Sequence, residues 1–134
     1  MSDFGIRAAL AQMEAVVRRA RGNPVIRDWA LRVVGDNVAY PTPASKARGL
    51  LDMIRRVAPY MASPADSERV ALPTVPRGGL HVDADDEAVA LAAACEALGL
   101  TVKMRLVQQN HACSVAVDVQ QDGDWVTFAM GERP

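Results

Sequence analysis

The sequence predicts an α+β domain in which helices come first and a small antiparallel sheet follows. Apolar residues recur at three- and four-residue steps through the first part of the chain, and a strongly apolar helix follows near its middle. After residue 100 the period of the pattern changes to two. A chain of 134 residues is long enough to bury its own core, so residues 1–134 are interpreted as one domain.

The helical front is predicted over residues 2–58. Its first helix carries an apolar stripe, has arginines in its last turn that complement the helix dipole, and ends at Gly22. Pro24 opens a second helix, which stops near the next glycine. A third helix starts near Pro43 and ends before Pro59.

A long loop and a core helix follow. The helical periodicity disappears over residues 60–80, where prolines and a Gly-Gly pair predict an irregular connection. The core helix is predicted over residues 83–98, with Asp83 as its N-cap. Because this helix is apolar around much of its circumference, it is expected to be central, with Cys95 as a packing residue.

A β-meander is predicted over residues 101–130. The segments "TVKMRLVQ", "CSVAVDVQ" and "DWVTFAM" contain alternating apolar residues. Asp122-Gly123 separates the last two segments, and Asp-Gly between alternating runs is a strong hairpin signal. The core helix is therefore expected to pack on a small antiparallel sheet.

The composition argues against several classes of function. A formal charge of −1 gives no reason to expect nucleic acid as a partner, and no apolar run approaches the roughly 20 residues that a membrane span needs. The N-terminal segment lacks the order of regions typical of a secretory signal, so secretion by that route is not expected. Two cysteines are too few for a disulfide framework, and no Cys/His spacing predicts zinc.

These motifs together resemble a known family. An acidic turn and an apolar helix ending in "ALG" are followed by "TVKMRLV", "SVAVDV" and "GDWVTF". This order is similar to that of transglutaminase-like, papain-type cysteine hydrolase domains, particularly the short versions encoded by tailed bacteriophages. The resemblance implies a cysteine nucleophile at the start of the core helix, a histidine on the second strand and a carboxylate on the third.

The chain departs from the family pattern at all three catalytic positions. The nucleophile position, between Asp83 and Asp85, is Ala84. The matching position on the second strand is Ser114, and the carboxylate position, four residues after the tryptophan of the third strand, is Ala129. A cysteine hydrolase needs a thiolate, an imidazole and an orienting group, so the resemblance predicts a catalytic framework without its catalytic groups.

Two other interpretations of the residues give the chain a catalytic or a metal-binding site. His111 and Cys113 lie just before Ser114 and could form a relocated catalytic pair, although neither has an orienting third group in the sequence pattern. Asp83, Asp85 and Asp86 could hold a cation, but helix capping and the helix dipole already explain carboxylates at a helix start. No metal or other cofactor is therefore expected.

The sequence thus leads to the prediction of a pseudoenzyme that acts by binding. The resemblance implies a structural or assembly component of a bacteriophage, located in the virion or the host cytoplasm, whose partners are virion structural proteins or further copies of itself. Neither nucleic acid nor a membrane is expected as a partner. The binding groove is predicted to comprise Asp83, Ala84, Asp85, Ser114, Trp125 and Ala129. The alternatives are an active cysteine hydrolase or transferase that uses His111 and Cys113, and a module that binds a small molecule in the vacant groove.

Overall fold

The computed structural model describes residues 3–35, 38–57, 84–109 and 112–130, and it confirms the α+β class. Side chains are described for residues 7–35, 38–57, 86–107 and 114–130. The described helices are α1 (Asp3–Ala20), α2 (Pro24–Ala30), α3 (Pro43–Val57) and α4 (Ala84–Ala97). The described strands are β1 (Val102–Gln109), β2 (Ala112–Gln121) and β3 (Asp124–Ala129).

The second helix begins as predicted and ends in an unexpected geometry. Pro24 occupies the first turn of α2, and the side chain of Asn23 caps the helix by accepting a hydrogen bond of 2.9 Å from the Val25 N–H. The chain then continues as a π-helical turn over Leu31–Gly35. Lys46 Nζ, from α3, donates to the carbonyl oxygens of Gly35 and Tyr40 at 3.0 and 2.8 Å. The ammonium group therefore satisfies the Gly35 carbonyl, which lies at the end of the π-helical turn, and a carbonyl of the connection that leads to α3.

The third helix has a reciprocal cap. The Ser45 N–H donates to Thr42 Oγ1 at 3.1 Å, and the Thr42 N–H donates to Ser45 Oγ at 2.9 Å. A further N–H of the first turn, that of Ala44, donates to Oε1 of Gln121 at 2.9 Å. This bond ties the start of α3 to the end of β2, so the helix and the sheet are held in one orientation.

Helix α4 is central, as the sequence predicts. Every residue from Ala88 to Cys95 is buried, and the helix packs against α1, α2, α3 and the sheet. Its many alanines permit this close approach on all sides. Gly99, with φ of 86°, ends it in a Schellman motif, in which the Leu100 N–H donates to the Cys95 carbonyl oxygen at 3.0 Å. No helix in the described ranges is both long and apolar enough to cross a membrane.

The sheet is an antiparallel meander with the strand order β1-β2-β3. Asp122 and Gly123 both have positive φ values, 54° and 86°, which confirms the predicted two-residue hairpin. Alternate residues of each strand point to opposite faces. The inner face packs on the helices and carries Val102, Met104, Leu106, Val115, Val117, Val119, Val126 and Phe128. The outer face carries Lys103, Arg105, Val107, Ser114, Ala116, Asp118, Gln120, Trp125, Thr127 and Ala129.

Candidate functional site

The predicted site residues fall on three elements. Ala84 is the first residue of α4, Ser114 lies near the start of β2, and Ala129 is the last residue of β3. Asp83 and His111 lie outside the described residues. For Ala84, Asp85 and Cys113 the structure describes the backbone alone. The predicted groove, the relocated pair of His111 and Cys113 and the catalytic inactivity therefore all stay predictions.

Three of the predicted groove residues share the outer face of the sheet. Ala129 pairs with Ala116, the residue two positions after Ser114, so Ser114 and Ala129 are diagonal neighbours. Trp125 lies further along the same face, opposite Gln120. Helix α4 packs on the inner face. A groove that joins these residues to the start of α4 must therefore run around the end of the sheet.

The start of α4 does come close to the end of β3, and Arg55 joins the two. Arg55 lies in the last turn of α3, and its Nη2 is 3.4 Å from Oε1 of Glu87, in the first turn of α4. The same nitrogen donates to the carbonyl oxygen of Ala129 at 3.3 Å. The junction of α3, α4 and β3 is thus held together by one guanidinium group.

The electrostatics of this junction are those of a buried ion pair. The side chain of Glu87 is fully buried and that of Arg55 is 14% exposed. Nε of Arg55 is also buried and has no hydrogen-bond partner among the residues that the structure describes. A buried carboxylate requires a compensating positive charge, and Arg55 supplies it. The described groups of this junction hold elements together, and they include neither a thiol nor an imidazole.

A second polar cluster lies on the outer face and was not predicted. Asp118 is 2% exposed, and its two carboxylate oxygens accept hydrogen bonds of 2.7 Å, one from Arg105 Nε and one from Thr127 Oγ1. Lys103 Nζ lies 4.2 Å from the centre of the Trp125 ring, in a cation–π contact. We call these five residues the outer-face cluster.

The outer-face cluster sets the ionisation of its central carboxylate. Burial by itself raises the pKa of Asp118. The hydrogen bonds from Thr127 and Arg105 and the positive charges of Arg105 and Lys103 outweigh burial, and the pKa is lowered. Asp118 is therefore ionised near neutral pH and acts as the anionic centre of the cluster. The hairpin register could have revealed part of this, because it places Lys103, Asp118 and Thr127 in one row.

The described cysteine side chain is chemically inert. Cys95 is fully buried in α4, and burial, assisted by the nearby charge of Glu96, raises its thiol pKa to about 12. Glu96 itself has a raised pKa, because the effect of burial exceeds that of Arg21 and Arg18. Among the residues that the structure describes, no three or more His, Cys, Asp or Glu side chains form a group that could hold a metal ion.

Comparison with known proteins gives no relative. No protein-family model matches the sequence, and no curated protein or solved structure matches the chain. The functional assignment therefore depends on the residues and on their geometry.

Proposed function

We propose that this chain is a transglutaminase-like domain without catalytic activity that works as a protein-binding component. The observation that carries the proposal is the character of the junction between α4 and β3. In the family that the sequence resembles, the nucleophile, the imidazole and the carboxylate would meet near such a junction. Here the corresponding residues are Ala84, Ser114 and Ala129, and the described polar groups nearby form the ion pair between Arg55 and Glu87.

Binding to proteins is favoured by the chemistry of the outer face. Trp125 is 40% exposed and has the ammonium group of Lys103 against its ring. Tryptophan and arginine are enriched at the centres of protein interfaces, and Arg105 lies within the same cluster. The outer-face cluster therefore offers an aromatic anchor surrounded by charged groups. Its partner is proposed to be another protein.

The resemblance to the bacteriophage versions takes the proposal one step further, to structural proteins of a virion or of its assembly. Quantitative mass spectrometry of particles purified from the source tests this step. We expect the chain in a fixed, near-integer ratio to the major coat protein. Particles assembled with Trp125→Ala are expected to lose the chain, whereas particles assembled with the control Val25→Ala, which changes another exposed side chain, should keep it. Absence of the unchanged chain from particles would contradict the virion assignment.

A thiol-reactive probe tests whether the chain is inactive. The two cysteines are Cys95, which is buried with a pKa of about 12, and Cys113, so rapid labelling reports on Cys113. An inactive domain is expected to label near neutral pH at the slow rate of an ordinary thiol, with no change in His111→Ala. Rapid labelling that disappears in both His111→Ala and Cys113→Ser would overturn the proposal in favour of a relocated catalytic pair. A ligand screen by melting temperature covers the alternative of a small-molecule module, since a ligand specific for the folded state raises stability.

A further inference from the structure

The strand β3 forms one edge of the described sheet, and the hairpin register fixes which of its backbone groups point outward. The Met130 N–H donates to the Val115 carbonyl oxygen at 3.1 Å, so this pair is a hydrogen-bonded one. Hydrogen-bonded pairs recur at every second residue of an antiparallel ladder. The N–H and C=O groups of Trp125, Thr127 and Ala129 therefore point away from β2.

Most of these outward backbone groups make no hydrogen bond to the described residues and can pair with another strand. In the described part of the chain, no hydrogen bond reaches the backbone N–H or C=O of Trp125 or Thr127 on this side. The Ala129 carbonyl oxygen accepts a hydrogen bond from Arg55, and the Ala129 N–H points away from β2. An edge with open backbone groups is a template for another strand.

The opposite edge, β1, carries more charge on its outer face than β3 does. Its outer-face residues include Lys103 and Arg105, two positive charges in succession. If two copies of β1 paired antiparallel about an axis at Arg105, the two arginines would lie directly opposite each other, and an axis at Met104 would place Arg105 opposite Lys103. Like charges directly opposite each other destabilise a strand pair. In β3 the only charged residue is Asp124, at its first position.

We propose that two copies of this chain associate through β3, antiparallel and about a two-fold axis at Thr127, to form a continuous six-stranded sheet. In this register Thr127 of each copy pairs with Thr127 of the other, and Trp125 pairs with Ala129. Six backbone hydrogen bonds then become possible. Two of them use the Ala129 carbonyl oxygens that Arg55 also contacts, and the other four use groups that have no hydrogen-bond partner among the described residues of their own chain.

The side chains of β3 are compatible with this register. Thr127 faces a second threonine, which is a favourable cross-strand pair. The large Trp125 faces the small Ala129, and the Trp125 ring is directed across its own sheet toward Lys103 rather than over the edge. On the inner face Val126 lies opposite Phe128. The two copies of Asp124 stand at opposite ends of the strand pair, so no like charges meet.

The expected dimer is a weak one. Pairing six residues of each strand buries less than the roughly 1,200 Å² at which stable interfaces begin. The association is therefore expected to depend on protein concentration. Sedimentation velocity should show a monomer at low micromolar concentration and a dimer at several hundred micromolar.

Two substitutions at Thr127 separate pairing from folding. Thr127→Lys places like charges opposite each other at the axis and is expected to abolish the dimer. Thr127→Val also loses the hydrogen bond to Asp118 but keeps a β-branched residue, so it should keep the dimer. A dimer that persists in Thr127→Lys would contradict the proposed edge.

Disulfide trapping tests the register, in a Cys113→Ser background in which Cys95 remains buried. The Cα atoms of a directly opposed hydrogen-bonded pair are about 5.5 Å apart, within disulfide range, so Thr127→Cys should cross-link to itself on oxidation. Trp125→Cys and Ala129→Cys should each give no disulfide cross-link alone and should cross-link when mixed, because the two copies of either residue are about 13 Å apart.

The control for this trapping is Arg105→Cys, at the centre of the other edge, which should not cross-link. Cross-linking of Arg105→Cys without that of Thr127→Cys would overturn the proposal, as would a monomer at several hundred micromolar that gives no trapped species. The inference goes beyond the proposed function because it depends on the backbone register and on the side chains of the two sheet edges, and uses neither the family resemblance nor the catalytic positions. The two proposals can fail separately. If the chain is monomeric, labels slowly with the thiol-reactive probe and is present in particles, the dimer is contradicted and the proposed function is not.

Discussion

Asp118 illustrates, at the scale of single residues, how a buried charge is stabilised on an exposed face. The carboxylate sits in the central strand, where Arg105 and Thr127 reach it from the two neighbouring strands. Its hydrogen bonds replace those that water would make with an exposed carboxylate. The same bonds lower its pKa, and the folded state is therefore linked to pH through this residue.

We expect Asp118→Asn to destabilise the protein by about 1.5–3 kcal/mol at pH 7, the range for hydrogen bonds to charged groups. A carboxyl with a lowered pKa contributes stability above its ordinary value of 3.8, and that contribution is lost as the pH falls through the lowered pKa. The free energy of unfolding of the variant should therefore fall less steeply between pH 4 and pH 2 than that of the unchanged protein. Urea denaturation at several pH values measures this, with Asp122→Asn, a charge lost from the exposed hairpin turn, as the control. If the free energy of unfolding fell equally steeply between pH 4 and pH 2 in Asp118→Asn and in the unchanged protein, the lowered pKa of Asp118 would be contradicted.

At the scale of the elements, α3 is positioned by contacts along its whole length. Its N-terminus meets Gln121, its middle packs close to Tyr40 and Val34 at Gly49, and its last turn carries Arg55. A Cβ atom on Gly49 would come within 2.6 Å of Tyr40 Cε1 and 2.8 Å of Val34 Cγ1. Gly49 is therefore required for close packing, although a glycine inside a helix is otherwise unfavourable.

Gly49→Ala is expected to destabilise the protein by about 1–3 kcal/mol, the usual range for added volume in a packed core. Helix propensity alone predicts the opposite sign, a gain of about 1 kcal/mol. The melting temperature of Gly49→Ala distinguishes the two expectations, because overpacking lowers it and helix propensity raises it. Gly22→Ala is the control, because a Cβ at Gly22 would meet nothing within 4 Å. Removing the ring as well, in Gly49→Ala with Tyr40→Ala, should make the added methyl group less costly than it is alone.

The Arg55 contact at the other end of α3 is expected to be more costly to break. Arg55→Met leaves the fully buried Glu87 without this positive charge, and breaking a buried pair from one side costs about 3–5 kcal/mol. Arg56→Met, an exposed neighbour on the same turn, should change stability by less than about 0.5 kcal/mol. Chemical denaturation of these variants and of Arg55→Met with Glu87→Leu measures the coupling. If the double variant were no more stable than Arg55→Met, the pair would not be the source of the loss.

At the scale of the whole molecule, the patterns in the sequence were enough to predict the class and the order of the elements. The apolar circumference of α4 predicted its central position, and the Asp122-Gly123 pair predicted the hairpin and, through it, the pairing of β2 with β3. These features depend on residues close in sequence. The period of apolar residues and the identity of turn residues record such local preferences directly.

The features that the sequence did not predict depend on residues far apart. The π-helical turn is held by Lys46, which lies 11 residues after Gly35, and Arg55 meets Glu87 across 32 positions. No period or spacing records such pairs, because their partners meet only after the helices have packed. For the same reason the sequence motifs could suggest a groove from Ala84 to Ala129, but they could not show which side chains would surround it.

The core extends through every helix and strand in the described part of the chain, so the helical front and the sheet are expected to unfold together. The two tryptophans report on the two halves: Trp29 is buried in α2, and Trp125 is 40% exposed on β3. In Trp125→Phe and in Trp29→Phe, the fluorescence of the remaining tryptophan follows one half at a time during urea denaturation. Each transition should coincide with the one measured by circular dichroism on the same variant, since one core allows no partly folded state to accumulate. A sheet signal that is lost at lower urea concentration than the helical signal would instead divide the chain into two units. Helix α4 would then be the place to look for the boundary, because it contacts both the helical front and the sheet.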